Sequence, residues 1–92
     1  MAEYVEALEF LEESGSDLAN GYDNEGAIKL VAELQELGCK VFAELDDDDE
    51  FYAVLFVHLP EKITSDVVVA IAHFHPDEVS EEEPNVLRLW WD

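Results

Sequence analysis

No lysine or arginine occurs before Lys29, and the whole chain has only 4 of them against 24 aspartates and glutamates. The formal charge is therefore −20 on 92 residues. Like charges at that density oppose compaction, so the fold must spread its acids over the surface and offset their repulsion with a packed interior. High net charge alone would indicate disorder, but 49% apolar and 11% aromatic residues do not. The chain reads as one small folded domain, residues 1–92, with an extreme surface.

The same imbalance narrows the partners. Phosphates would be repelled, so direct nucleic-acid binding is not expected, and anionic membrane is disfavoured for the same reason. A basic protein is favoured. The single cysteine, Cys39, has no intramolecular partner and implies no disulfide framework. No basic segment followed by an apolar run opens the chain, so no secretory signal is expected. The longest apolar stretch, Phe51 to Leu59, is too short to span a bilayer. The expected compartment is the cytoplasm.

Hydrophobic spacing predicts six elements in the order α-α-β-β-α-β. Residues Ala2 to Glu13 read as a helix with Tyr4, Leu8 and Leu11 on one face and Glu6, Glu9 and Glu13 on the other. Ser14-Gly15-Ser16 ends it, and a loop follows from Asp17 to Tyr22 through Asn20-Gly21. A second helix is predicted from Asn24 to Leu37, capped by Asp23 or Asn24 and closed by Gly38. Cys39 to Leu45 alternates as a strand with Val41, Ala43 and Leu45 on one face. Phe51 to Leu59 is apolar almost throughout and reads as a central strand covered on both faces. Asp46 to Glu50 forms the hairpin between them. Thr64 to His75 has a strand-like valine run, yet the Thr64-Ser65-Asp66 cap and the following Pro76 favour a helix. Pro76 to Pro84 reads as an acidic loop, and Asn85 to Trp91 as a last strand. The expected architecture is α+β, a three-stranded antiparallel sheet packed against helices.

Nineteen of the 24 acids fall in three patches without a basic residue inside them. The first lies in the N-terminal 28 residues and includes Glu6, Glu9 and Glu13. The second is the hairpin, Glu44, Asp46, Asp47, Asp48, Asp49 and Glu50. The third is Asp77, Glu78, Glu81, Glu82 and Glu83. A solvated face ordinarily mixes signs, because local pairs stabilise it. An unpaired anionic surface fits a groove lined by lysine and arginine for the reason such a groove fits phosphate. In the last strand, Trp90 and Trp91 should point to opposite faces, one to the core and the other available to a partner. These acids and Trp90 are the candidate partner-binding residues.

Other chemistry finds little support. Read as an EF-hand from Asp46, the sequence has Phe51 where glycine is required and Val57 where glutamate is required. His58, His73 and His75 complete no tetrahedral metal set. Cys39 reads as a core residue, no serine sits in a nucleophile elbow, and no glycine-rich phosphate loop occurs. No enzyme, metal or cofactor is expected.

In size, charge and aromatic content together, the chain resembles the small phage-encoded inhibitors that mimic DNA. These include acidic anti-CRISPR proteins, anti-restriction proteins and the uracil-DNA glycosylase inhibitor. The resemblance covers the whole chain but is one of class, so no functional residue transfers position by position. It implies a non-enzymatic inhibitor acting in a bacterial host cytoplasm. Its acidic surface would occupy the DNA-binding, PAM-reading groove of a CRISPR–Cas effector, of type I and most narrowly type I-C. Two other classes fit the composition: an acidic interaction domain of a halophile, and an acidic chaperone or antitoxin for a basic protein.

Overall fold

The computed structural model describes residues 3–19 and 21–92. The chain forms β1 (Glu3–Glu6), α1 (Ala7–Ser14), α2 (Asn24–Glu36), β2 (Lys40–Leu45), β3 (Phe51–His58), α3 (Ser65–His73), β4 (Glu78–Glu83) and β5 (Val86–Trp90). The strands make one antiparallel sheet in the order β1-β2-β3-β5-β4. The class is α+β.

Each helix starts and stops for a local reason. Glu6 caps α1 by accepting a hydrogen bond from the Glu9 amide at 2.7 Å, and Asp23 caps α2 through the Gly26 amide at 2.9 Å. Thr64 does the same for α3 through Val67. Gly15 ends α1 with a left-handed φ of 70°, its amide donating to the Leu11 carbonyl at 3.1 Å. Asn24 ties the two N-terminal helices together, its side-chain amide donating to the carbonyls of Leu11 and Ser16, each at 2.8 Å.

All three helices lie on one face of the sheet. Leu11 of α1, Leu30 and Leu34 of α2 and Val67 and Ile71 of α3 meet Val41, Leu55, Val57, Leu87 and Leu89 of the strands in one continuous core. Trp91 closes it from the end of β5. Its indole Nε1 donates to the Phe74 carbonyl at 2.9 Å, and its ring is almost wholly buried.

Four sequence expectations need correction. Glu3–Glu6 is a strand and not the first turn of a helix. It pairs Tyr4 with Glu44 and Val5 with Ala43, which satisfies the outer edge of β2. Helical periodicity fits Tyr4, Leu8 and Leu11, but that backbone demand outweighs it. Residues Glu78–Glu83, read as loop, form the edge strand β4. Glutamate disfavours strands, yet an edge strand needs only one partner and leaves its carboxylates in water. The sheet consequently has five strands where three were expected. Finally, β3 is central in the sheet but is covered by helices on one face only; on the other, Val54 beside Trp90 is buried while Phe56 is half-buried and His58 exposed. Ala2 of the expected helix and Asn20 of the expected loop lie outside the described residues. The helix over Thr64 to His75 and the hairpin at Asp46 to Glu50 are as expected.

Candidate functional site

The pairing register gathers acids at one end of the sheet. Glu3 pairs with Leu45 beside the β2–β3 hairpin, and β5 arrives at the same end through Trp90, opposite Val54. Glu78 pairs with Trp90, so β4 starts there as well. The Asp77 amide donates to the Trp90 carbonyl at 2.8 Å, and the Asp92 amide donates to Asp77 Oδ2 at 2.7 Å. Helix α1 leads back toward the hairpin, its Phe10 ring 5.3 Å from that of Phe51. Glu3, the Asp46–Glu50 turn, Asp77, Glu78 and Asp92 therefore belong to one anionic end.

The hairpin tip is ordered by its own acids. Asp46 Oδ1 accepts from the amides of Asp48 and Glu50, both at 2.9 Å. Donation from the Glu50 amide holds the Asp46 carboxyl below its ordinary value. Asp49 adopts a left-handed φ of 60°, and the bulge between Ala43 and Leu45 leaves Ala53 at 59°.

The sheet face away from the helices is open and concave. Tyr4 on edge strand β1 and Glu82 and Glu83 on the opposite edge strand β4 line one cavity of about 700 Å³. The sheet must therefore curl its two edges toward each other, as a strongly twisted sheet does. Phe42 and Phe56 form the floor, cross-strand neighbours on β2 and β3. Tyr4 meets Phe56 edge to face at 5.2 Å, and Phe42 meets His58 likewise at 5.0 Å. Glu44, Glu82 and Glu83 stand around them, with Val86 and Arg88 contributed by β5. Burial first, then the charge of Glu44 and its hydrogen bond at 3.3 Å, and then the charge of Glu82, push the Tyr4 phenol up. Arg88 leans toward β4, 3.7 Å from Glu78 and 4.0 Å from Glu82.

The structure thus divides the sequence candidates. Asp46 to Glu50, Asp77 and Glu78 share the anionic end, whereas Glu44, Glu82 and Glu83 belong to the groove. Glu9 and Glu13 are exposed on α1. Glu6 is not on a free helical face. Besides capping α1, its Oε1 accepts from Gln35 Nε2 at 2.9 Å. Glu81 is exposed on β4 opposite Leu87. Trp90 is half-buried on the open face while Trp91 is in the core, so the two tryptophans do part. The third patch is not free of cations in space, because Arg88 serves Glu78 and Glu82.

Sequence reading missed the groove's other lining residues: Tyr4, Phe42, Phe56, His58, Val86 and Arg88. Their signal was the parity opposite to Val41, Ala43 and Leu45, carried by Phe42 on one strand and by Phe56 and His58 on the next. A smaller apolar depression of about 400 Å³, between α3 and β4 and lined by Ile63, Val68 and Val79, includes none of the candidates. Among the described residues no group of three or more His, Cys, Asp or Glu side chains is arranged to hold a metal. Nor is any helix there long and apolar enough to cross a membrane. No protein-family model, curated protein or solved structure matches the chain.

Proposed function

We propose that this protein is a non-enzymatic inhibitor that imitates DNA and occupies the cationic nucleic-acid groove of another protein. The observation that carries the reading is a match of charge to length. The longest dimension of the Cα trace is 34 Å, and the formal charge is −20. A duplex of that length carries about 20 phosphate charges, one per 1.7 Å or so of axis. A folded carrier also presents its charges with less ordering entropy to lose than a disordered acidic tail has. The most specific form of the proposal makes the target the PAM-reading groove of a type I CRISPR–Cas effector in a bacterial cytoplasm.

The test is competition. The partner is captured from a host lysate, identified by mass spectrometry, and loaded with labelled duplex. The native protein should displace the duplex. Asp46, Asp47, Asp48 and Asp49 changed together to Lys should weaken displacement by about tenfold or more, since each exposed charge is worth up to about 1 kcal/mol. Glu9→Lys with Glu13→Lys tests the helix separately, and circular dichroism confirms that each variant folds. A partner that binds the duplex and this protein simultaneously, or inhibition unchanged in both folded variants, would rule out mimicry. Capture of a basic protein with no nucleic-acid affinity would instead favour the chaperone or antitoxin class.

A further inference from the structure

We propose that the concave outer face of the sheet is an arginine-binding groove, filled in the complex by an arginine-bearing segment of the cationic partner. The inference rests on the reading of the protein as a ligand for a cationic surface, and it names the anchor that reading lacks. Charge alone steers an encounter but fixes no register. Phe42 and Phe56, half-buried at the bottom of the open groove, together with exposed Tyr4 offer an aromatic surface that a partner's side chain would cover.

The chemistry of the groove selects the occupant. Its floor is Phe42 and Phe56, with Tyr4 on the lip, 54% exposed. Edge-to-face contacts to Tyr4 and His58 hold these rings in place before anything binds. Its carboxylates are Glu44, Glu82 and Glu83. A guanidinium suits both parts, because it stacks on aromatic faces and donates in a fork to carboxylates. An ammonium offers only a point charge, so lysine should fill the same place less well. Arg88 also lines the groove, where its guanidinium meets Glu82 and, at the β4 edge, Glu78, so Glu44 and Glu83 are the carboxylates that serve the incoming guanidinium. A second copy of the chain is a poor occupant. It would press Glu44, Glu82 and Glu83 against another surface of the same sign in a molecule already at −20. A volume of about 700 Å³ has room for a short stretch of chain around the arginine.

The experiment titrates the isotope-labelled full chain with hexa-arginine, hexa-lysine and an uncharged hexa-citrulline peptide, followed by NMR. Hexa-arginine should saturably shift the amides of Phe42, Phe56 and Arg88, and the shifts should persist at about 0.3 M salt, where peripheral attraction is screened. Hexa-lysine should bind the groove more weakly, and hexa-citrulline should leave it unmoved. Phe42→Leu keeps an apolar side chain but removes the ring, and should weaken arginine binding roughly three- to tenfold. Glu83→Gln, on the solvated edge strand and outside the Arg88 pairs, should weaken it without touching the core. Shifts confined to residues 46–50 and α1, or unchanged affinity in both variants, overturn the inference. Neither nucleic acid nor captured partner enters this titration. Groove shifts therefore support the inference even where competition with duplex fails, and competition without groove shifts overturns the groove alone.

Discussion

Tyr52 stands in the open at the base of the acidic hairpin, 59% exposed, and donates its hydroxyl to Glu50 Oε2 at 2.5 Å. That bond, followed by the charges of Glu50 and Asp46, pushes the phenol up to about 12. Below the ordinary value of 10.0, folded and unfolded chains both keep the proton, and the bond's contribution is fully present. Between that value and about 12 the unfolded chain ionises first, so stability falls as pH rises. In an ultraviolet phenolate titration Tyr52 should ionise at about 12, with Tyr4 also above its ordinary value. Tyr52→Phe should remove that step, and Glu50→Gln should bring it down. Titration of every tyrosine near 10 would exclude the bond in solution. The pair was legible in principle from closeness in sequence, because Glu50 ends the turn two residues before Tyr52 of β3. The turn that sets it was equally legible, since aspartate readily accepts from backbone amides two and four residues ahead, as Asp46 does. Glu6 was not legible. Its two oxygens are engaged by the Glu9 amide and by Gln35, and the second partner is brought by the packing of α2.

At the scale of elements, β4 is the informative case. Six residues, Glu-Val-Ser-Glu-Glu-Glu, carry four carboxylates and still form a strand. Pairing with β5 holds it, Arg88 sits directly opposite Ser80, and the guanidinium reaches Glu78 and Glu82 on the same edge. An exposed pair contributes little, about 0.5–1 kcal/mol at best, but an edge strand has little else to hold it. Arg88→Ala should therefore raise amide hydrogen exchange in residues 78–83 by roughly threefold while β2 and β3 exchange as before. Equal acceleration across the sheet would mean that Arg88 supports the whole fold. Local sequence could not reveal this strand, because its partner Arg88 and its clamp at Asp92 come from β5 and beyond. The same holds for β1. Residues Glu3 to Glu6 are ambiguous in isolation, and only the unpaired edge of β2 selects the strand.

Across the whole molecule, net charge −20 sits on a trace of 34 × 27 × 22 Å. Self-repulsion at that density should be relieved by added salt, since the screening length falls to about 10 Å at 0.1 M. The melting temperature should rise steadily from low salt to about 0.5 M. A flat profile would show that the acids are too well separated or solvated to interact. Failure to fold below molar salt would instead point to the halophile class. Parts of the three acidic patches, distinct along the chain, are gathered by the fold into one anionic end and one groove, while Glu9 and Glu13 stay exposed on α1 and Glu81 on β4. That rearrangement places the apolar floor and the carboxylates where a single cationic segment could meet both.

Composition and local pattern alone determined that the chain folds, that its class is α+β, where α2 and α3 cap, and that the β2–β3 hairpin turns at Asp46. These are short-range matters, settled by periodicity, capping and turn chemistry within a few residues of each site. Tertiary structure decided the rest, because strand pairing is a contract between segments far apart in sequence. It converted Glu3–Glu6 and Glu78–Glu83 into edge strands, gave Arg88 its carboxylates, and left one face of β3 without a helix over it. An apolar run states that side chains avoid water, but not on which face another layer will arrive. The helices cover Leu55 and Val57, while Phe56 on the same strand is left as the floor of an open groove.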